Sequence, residues 1–152
     1  MDRTLVLLKP DSLQRGLVGE ITHRFEAKGI KIVGLKMMRV ADALVEEHYA
    51  HHKDKPFFAG LKAFMQSSPL VAMVLEGVEV VPTARKMAGI TKSRDAEPGT
   101  IRGDFGMSIQ ANLIHVSENE AAAKEEIGRF FTEEELFDYQ RPFDANIYSE
   151  GE

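Results

Sequence analysis

The chain of 152 residues contains no cysteine. That absence excludes a disulfide framework, a thiolate nucleophile and any zinc site built on cysteine. The sequence also has no apolar run close to the roughly 20 residues that a membrane-spanning helix needs. The short apolar run at its start is typical of a strand rather than of a signal peptide. We therefore predict a cytoplasmic protein without a membrane partner.

A basic surface and the common phosphate-binding loops are missing as well. The formal net charge is −5, whereas a general nucleic-acid binder usually carries a basic face, so we predict no nucleic-acid partner. There is no G-x-x-x-x-G-K-[ST] loop, no G-x-G-x-x-G fingerprint before a helix, and no protein-kinase signature. If this protein handles phosphate, arginines, a lysine and a helix end must supply the contacts.

Hydrophobic periodicity predicts four strands, near residues 4–8, 30–40, 70–75 and 112–118. Helical spacing of apolar residues predicts helices between them and another from about residue 118 to 131. The segment 91–106 has little periodicity and several glycines, which predicts a long loop with a functional role. This order contains two β-α-β halves. We therefore predict one domain over residues 1–152, of the α/β (α+β) class. Its architecture would be a ferredoxin-like split β-α-β sandwich, a four-stranded antiparallel sheet with helices packed on one face.

Capping residues predict where three helices begin. Asp42 is the predicted N-cap of a short helix. Ser117 and Glu120 have the S-x-x-E spacing of a capping box, which predicts that a helix starts there. Thr132 and Glu135 repeat this spacing and predict a short final helix.

His115 lies in the last apolar strand, just before the predicted helix start at Ser117. Such a histidine is held by rigid elements on both sides, and a helix start offers N–H groups and a positive dipole end to an anion. Because the ordinary pKa of histidine is near neutrality, the imidazole can act as an uncharged nucleophile. The alternative is a core histidine with one satisfied nitrogen, and this segment alone does not decide between the two.

Candidate phosphate donors lie near predicted strand ends or in loops, at Lys9, Arg85, Thr91 and Arg102. Phosphoryl transfer needs such donors around the phosphate oxygens and a nucleophile in line with the leaving group. Each residue taken alone is better explained as a solvated surface residue. Their value is joint, and spacing alone does not show joint placement.

Two further groups of residues are open to a functional interpretation. His48, His51 and His52 suggest a metal cluster, but the sequence has no H-E-x-x-H spacing, and we predict no metal site formed by the protein itself. Phenylalanines begin the helical stripe of residues 57–65, and one of them is a candidate stacking surface for a flat ligand, although most of the stripe belongs to the core.

Several ordered motifs resemble those of the nucleoside diphosphate kinase family. The most specific are Gly99-Thr100-Ile101-Arg102-Gly103-Asp104-Phe105 and Asn112-x-x-His115-x-Ser117. The similarity covers nearly the whole chain, because it also includes Leu8-Lys9-Pro10-Asp11, His48-Tyr49, Pro56-Phe57-Phe58, the strand from Val71 to Gly77, and Arg85.

The resemblance implies a ping-pong mechanism, in which Nδ1 of His115 takes the γ-phosphate of a nucleoside triphosphate and passes it to a nucleoside diphosphate. It implies that Ser117 and Glu126 orient the imidazole. Phe57 would stack on the base with few base-specific hydrogen bonds, which gives broad base tolerance. Mg²⁺ would arrive bridging the nucleotide phosphates, without a dedicated carboxylate site. The residues implied to bind the phosphates or the ribose are Lys9, Tyr49, Arg85, Thr91, Arg102 and Asn112.

Two residues beside the histidine depart from the family pattern. Val116 stands where the family usually has Gly or Ala, and a β-branched residue disfavours a left-handed backbone there. Glu118 stands where the family usually has Asp. We expect activity to survive, because the nucleophile and the donors are present. The alternative is a family member with impaired catalysis that acts as a nucleotide-binding or regulatory scaffold.

An RNA-binding module is a third and weaker interpretation, opposed by the acidic charge and by the missing aromatic-basic signature. The resemblance also implies a homo-oligomer, with a hexamer favoured. The tail lacks the tryptophan often found near the C-terminus of the family, a departure that concerns the subunit contacts made there.

Overall fold

The computed structural model describes residues 1–152, and its centre is a four-stranded antiparallel sheet. The strands are β1 (Asp2–Leu8), β2 (Lys31–Met38), β3 (Leu70–Gly77) and β4 (Ile114–Val116). Their spatial order is β2-β3-β1-β4, so that the first strand of each β-α-β half lies in the middle of the sheet. This is the split β-α-β arrangement, and the predicted fold class is confirmed.

Both faces of the sheet are covered, whereas helices on one face were predicted. Successive residues of a strand point to opposite faces, and Leu5, Val6, Leu7 and Leu8 in β1 are all fully buried. Val6 and Leu8 belong to one core cluster, while Leu5 and Leu7 belong to a second. The one-face prediction was wrong because a short apolar run does not by itself reveal how many layers bury it.

Seven α-helices surround the sheet. They are α1 (Pro10–Gln14), α2 (Val18–Ala27), α3 (Asp42–His48), α4 (Phe58–Met65), α5 (Val80–Ala88), α6 (Ile101–Phe105) and α7 (Glu120–Phe130). The first core cluster draws on α2 and α5, through residues such as Phe25 and Ala84. The second draws on α3, α4 and the end of α7, through Val45, Met65 and Phe130.

Two short helices were not predicted. Helix α1 follows β1 directly, and α6 lies inside the segment 91–106 that was predicted as a loop. Each has five residues, too few to show a helical period in the sequence. The side chain of Thr100 caps α6 by accepting a hydrogen bond from the Gly103 N–H at 3.0 Å.

The start of α7 also differs from the prediction. Asn119 is its N-cap, and the side-chain oxygen of Asn119 accepts the Ala122 N–H at 2.9 Å. Ser117 lies against β1 instead, where its hydroxyl accepts the Leu5 N–H at 3.2 Å. The S-x-x-E spacing was misleading because a residue 112 positions away in the chain engages the serine.

The other two predicted caps have different outcomes. Asp42 makes no capping hydrogen bond: it is the first residue of α3, and its carboxylate accepts from the Gln66 amide at 2.8 Å. The Thr132–Glu135 capping box is present, but it opens a single 3₁₀ turn at Glu133–Glu135. The remaining tail folds back on the domain, with the Tyr139 hydroxyl donating to the Ile32 carbonyl at 2.6 Å. None of the helices combines the length and the apolar character needed to cross a bilayer.

Candidate active site

A cavity of about 450 Å³ lies beside the end of β1 and the start of β4. It brings together most of the residues predicted from the sequence as site residues: Lys9, Tyr49, Arg85, Thr91, Arg102, Asn112, His115 and Glu126. A larger groove of about 740 Å³ adjoins it at Arg85 and Glu118, but that groove contains neither a histidine nor an aromatic side chain. The smaller cavity is therefore the candidate active site.

An unusual backbone turn at Leu113 leads the chain into β4 and sets the position of His115. Leu113 has a φ of 74°, and the Ile114 N–H donates to the Asn112 carbonyl at 2.9 Å, which closes a γ-turn. A non-glycine residue in this region of φ costs on the order of 1–3 kcal/mol. Surrounding contacts must therefore hold the turn in place.

Helix α1 and the residue before it supply those contacts. The Leu113 N–H donates to the Asp11 carboxylate at 3.1 Å. The Leu113 carbonyl accepts the Lys9 N–H at 2.8 Å and the Ser12 hydroxyl at 2.7 Å. The Leu113 side chain is fully buried. The unpredicted helix α1 thus fixes the entry to the histidine strand.

Glu126 on α7 receives the imidazole of His115. Its two carboxylate oxygens lie 3.0 and 3.1 Å from Nε2 of His115. The Ser117 hydroxyl donates to the same carboxylate at 2.6 Å. A carboxylate only accepts, so Nε2 carries the proton and Nδ1 keeps its lone pair in the neutral ring. Nδ1 makes no hydrogen bond to the protein, and the imidazole lines the cavity.

The electrostatics keep Glu126 ionised. Burial by itself would raise the pKa of this carboxyl, but the hydrogen bonds from His115 and Ser117 and the nearby imidazole of His48 outweigh it and lower the pKa to about 2. The carboxylate therefore accepts the Nε2 proton of His115 at any pH near neutrality.

Lys9, Asn112 and Arg102 form a connected group on the cavity wall. The Lys9 ammonium donates to the Asn112 side-chain oxygen at 2.7 Å, and the amide of Asn112 donates to the backbone carbonyls of Thr91 and Ile109 at 3.1 and 2.9 Å. Burial, followed by the nearby charge of Arg102, lowers the pKa of Lys9 to about 8. A bound phosphate would relieve that cost, because its charge favours the ammonium form.

Arg102 joins three backbone segments through its guanidinium group. Its guanidinium donates to the carbonyls of Gly89, Asn112 and Ile114 at 2.7, 3.2 and 2.5 Å. Burial, together with the charge of Arg85, lowers the pKa of Arg102 to about 10, so that it stays charged at neutral pH. Arg has five N–H donors, so two of them remain for an anion in the cavity.

Three predicted ligand residues are open to a bound molecule. Arg85 is exposed and makes no ion pair with the protein, and Thr91 is also exposed. The Tyr49 hydroxyl is buried without a hydrogen-bond partner. Burial, with the charge of Glu126 second, raises the pKa of Tyr49, so the hydroxyl stays a donor. All three groups line the cavity.

A second cavity of about 480 Å³ continues from the first and shares Lys9 and Tyr49 with it. Its outer part is lined by Phe57, Leu61 and Ile109. Phe57 is 49% exposed, so this residue at the start of the helical stripe lies outside the core. His52 meets the Phe57 ring edge to face, with centroids 5.1 Å apart, and the Lys55 ammonium lies 5.8 Å from its centroid. The exposed part of the ring is a candidate stacking surface for a flat ligand.

The three neighbouring histidines do not form one cluster. Only His48 joins a group with metal-ligand chemistry, with His115 and Glu126, whose ligand atoms lie within 4.8 Å of one another. Hydrogen bonds already engage these atoms, since Glu126 receives two donors and the Arg129 guanidinium lies 3.1 Å from Nδ1 of His48. The group therefore reads as a hydrogen-bonded network around His115.

Sequence reasoning missed several residues that the structure brings to the site. Asp11 and Ser12 support the turn at Leu113, and Arg129 contacts His48. Ile109 lines the outer cavity. Ile109 carried a signal as an apolar residue within a polar loop. Asp11 belonged to a motif, but its contact with a residue 102 positions away was not visible.

Val116 causes no backbone conflict beside His115. It lies in β4, pairs with Val6 of β1, and does not have a positive φ. Its side chain is buried and forms part of the cavity wall. Glu118 also lines the cavity and makes no ion pair. The left-handed conformation that a β-branched residue would resist is thus not required here.

The chain matches the sequence model of the nucleoside diphosphate kinase family over residues 2–136. The chain belongs to the nucleoside diphosphate kinase family. A family member from Carboxydothermus hydrogenoformans is 53% identical over 148 residues, which cover 97% of this chain and 99% of that protein. One from Gloeobacter violaceus is 51% identical over the same length and coverage.

Solved structures agree with these relatives. A halophilic nucleoside diphosphate kinase from Halobacterium salinarum, determined in complex with CDP, superposes with a TM-score of 0.95. It is 49% identical, and the match covers 97% of this chain and 99% of that one. The protein is accordingly an enzyme that transfers phosphate between nucleotides. Nothing in these relatives indicates impaired catalysis, so the scaffold alternative has no support.

Proposed function

We propose that His115 carries the phosphoryl group between the two nucleotides in a ping-pong reaction. The observation that supports this is the pair of contacts from Nε2 of His115 to Glu126 at 3.0 and 3.1 Å. They fix the tautomer in which Nδ1 has the free lone pair, and they stabilise the positive charge that the ring acquires as it reacts. Ser117 holds the carboxylate from the other side at 2.6 Å.

The reaction then has two matched halves. The Nδ1 lone pair attacks the γ-phosphorus, the bond from that phosphorus to the β,γ-bridging oxygen breaks, and the nucleoside diphosphate leaves with the electron pair. A terminal β-phosphate oxygen of a second nucleoside diphosphate next attacks the phosphorus on Nδ1. The P–N bond breaks, and its electron pair returns to the imidazole. No other reactant is needed.

The cavity walls supply the binding contacts in this proposal. Lys9, Arg85 and Arg102 converge on one cavity in an acidic chain, which suits a polyphosphate. Thr91 and the Tyr49 hydroxyl would donate to the same phosphates. The second lone pair of the Asn112 side-chain oxygen would accept from a ribose hydroxyl. These assignments rest on the geometry and on the family motifs together.

Phe57 would stack on the base in the outer cavity. Beside Phe57 the lining is apolar at Leu61 and Ile109 and polar at His52 and Gln110. Every base has a π-face, so stacking is tolerant of base identity. We therefore propose broad base tolerance. The relative bound to CDP supports this site for a nucleoside diphosphate.

Mg²⁺ enters this proposal as part of the substrate. Mg²⁺ prefers oxygen ligands and commonly binds through one or two carboxylates and the substrate phosphates. Hydrogen bonds from His115 and Ser117 engage Glu126, so Glu118 is the carboxylate in the cavity without an ion pair. One free carboxylate fits an ion that arrives with the nucleotide and neutralises phosphate charge, and does not fit a resident metal site.

We also propose a domain organisation, an oligomeric state and a location for this protein. Residues 1–152 form one nucleoside diphosphate kinase-like domain, supported by the single sheet and by the family match over residues 2–136. The protein is a homo-oligomer, with a hexamer favoured by the family resemblance. We also propose a cytoplasmic location, as the apolar run at the start, too short for a signal peptide, predicts.

Incubation with γ-labelled ATP and Mg²⁺, followed by a GDP chase, tests the covalent route. We expect an acid-labile, alkali-stable phosphate on the protein that leaves as GTP. The variant His115→Ala should bind nucleotide, keep its fold and take up no label. Nucleotide exchange by that variant near the wild-type rate would overturn the proposal, as would wild-type turnover without a labelled protein.

A further inference from the structure

Arg129 reaches back from α7 to a histidine that the reaction scheme does not use. It lies one helical turn after Glu126, and its Nη1 is 3.1 Å from Nδ1 of His48. Its Nε is also 3.3 Å from the Glu47 carboxylate, an ion pair that lacks hydrogen-bond geometry. The His48 side chain is only 2% exposed, while that of Glu47 is 64% exposed. Of the two contacts of Arg129, the one with His48 is therefore the buried one.

The contact with Arg129 decides where His48 carries its proton. A guanidinium donates and never accepts, so Nδ1 of His48 must be the acceptor and the ring proton must sit on Nε2. Burial, reinforced by the nearby charges of His115, Arg129 and Lys9 and opposed by Glu126, lowers the pKa of His48 to about 3. The His48 ring is therefore neutral near pH 7 and carries a proton on only one of its two nitrogens.

This tautomer is not the one that the rest of the pocket would favour. Nε2 of His48 is buried and has no hydrogen-bond partner in the protein, so a proton there is left without an acceptor. Nδ1 instead lies 3.9 Å from a Glu126 carboxylate oxygen. Without Arg129, a proton on Nδ1 would gain that carboxylate as an acceptor after a small movement.

Such a movement would disturb the nucleophile. The same oxygen of Glu126 is 3.1 Å from Nε2 of His115. The His48 and His115 rings already meet edge to face, with centroids 4.7 Å apart. A second N–H donor from His48 would draw the carboxylate away from His115 and weaken its hold on the reactive tautomer.

We propose that Arg129 is a positioning residue, which occupies Nδ1 of His48 and thereby reserves the Glu126 carboxylate for His115. The proposal rests on the proposed function, in which His115 is the nucleophile. It adds a role for a residue that touches neither the nucleotide nor the reacting atoms. Arg129 acts on the phosphoryl-transfer step through His48 and Glu126.

Three variants separate this role from a structural one. Arg129→Met removes the donor and keeps much of the apolar stem. Arg129→Lys keeps a charged donor and should rescue the function. Glu47→Gln is the matched control, because it removes the exposed ion pair of Arg129 and leaves the contact with His48.

The first readout is the protonation of the His48 ring nitrogens, measured by ¹⁵N-correlated NMR on the full-length protein without nucleotide. We expect a protonated Nε2 in the wild type, in Arg129→Lys and in Glu47→Gln. We expect a proton on Nδ1 in Arg129→Met. A wild-type His48 with the proton on Nδ1 would overturn the proposal, and this measurement decides even if the methionine variant does not fold.

The second readout is activity. We measure the rate constant of the first half-reaction, and kcat and KM separately under steady-state turnover. Loss of a residue that orients a catalytic group typically lowers activity about 10- to 100-fold. We expect Arg129→Met to lower kcat by at least the smaller factor with little change in KM, and Glu47→Gln to match the wild type.

A slower Arg129→Met with an unchanged His48 tautomer would mean a structural role, and a changed tautomer with an unchanged rate would mean that Glu126 needs no protection. Either result overturns the proposal. If the wild type forms no phosphohistidine, the proposed function fails, whereas the NMR readout still reports whether Arg129 sets the tautomer.

Discussion

Glu126 holds the Nε2 side of the His115 ring with both of its carboxylate oxygens, at 3.0 and 3.1 Å. The two residues come from different elements, the strand β4 and the helix α7 that follows it. This relationship leaves Nδ1 free toward the cavity. In the proposed reaction, the reactivity of the histidine therefore depends on one ionised carboxylate.

Replacing that carboxylate by an amide should slow the chemical step. In Glu126→Gln the amide can still contact Nε2, but the negative charge that stabilises the reacting ring is gone. We expect the rate of His115 phosphorylation to fall about 10- to 100-fold with KM nearly unchanged, measured by single-turnover kinetics. Glu125→Gln, at the exposed neighbouring position, is the control, and an equal loss in that variant would contradict the assignment.

The same carboxylate predicts how stability responds to acid. The pKa of Glu126 is lowered to about 2 in the folded protein from 4.5. Its contribution to the free energy of unfolding is therefore present above pH 4.5 and is lost as the pH falls toward 2. Urea unfolding across this range should show a smaller pH dependence for Glu126→Gln than for the wild type. Equal slopes for the two proteins would argue against the lowered pKa.

Nucleotide binding should weaken in mildly alkaline solution because of Lys9. Its pKa in the free protein is lowered to about 8, so above that pH the protein loses a positive charge that a phosphate would contact. We expect the Kd for ADP, measured by calorimetry, to rise with pH above about 8. Lys9→Met should bind more weakly and lack this step. A wild-type Kd that stays flat through pH 9.5, about 1.5 units beyond the pKa, would exclude Lys9 as the titrating ligand.

Removal of the Phe57 ring should affect all nucleotides by similar factors. Stacking on an aromatic side chain contributes about 1–3 kcal/mol per base, so we expect Phe57→Ala to raise KM roughly 5- to 150-fold for GDP and CDP alike. Phe143→Ala removes an equally exposed ring outside the cavities and should leave KM unchanged. A loss confined to one base would point to specific recognition instead of stacking.

The turn at Leu113 should depend on the hydroxyl of Ser12. Ser12→Ala removes the 2.7 Å hydrogen bond to the Leu113 carbonyl and should cost about 1 kcal/mol of stability, measured by urea unfolding. We also expect slower phosphorylation of His115, because the turn precedes its strand. Ser67→Ala, which removes an exposed hydroxyl contact of similar length, should do neither. Unchanged kinetics in Ser12→Ala would show that the turn tolerates looser support.

The sequence by itself determined the order of the four strands and of the longer helices between them, and hence the split β-α-β sheet. Apolar periodicity is a local property of each element, so it can be read directly from the amino-acid sequence. The motif around His115 and the separate donors Lys9, Arg85 and Arg102 were also readable there. These donors and His115 line one cavity.

Only the tertiary structure decided how those residues act on one another. Ser117 does not cap α7 as predicted, because its hydroxyl accepts a hydrogen bond from Leu5 of the adjacent strand β1. Asn119 is the N-cap of α7. The support of Leu113 by Ser12 spans 101 positions, and the contact of Arg129 with His48 spans 81. Such contacts form only when strands and helices pack together. They join residues far apart in the chain and leave no periodic pattern in the sequence, so they could not be predicted from it.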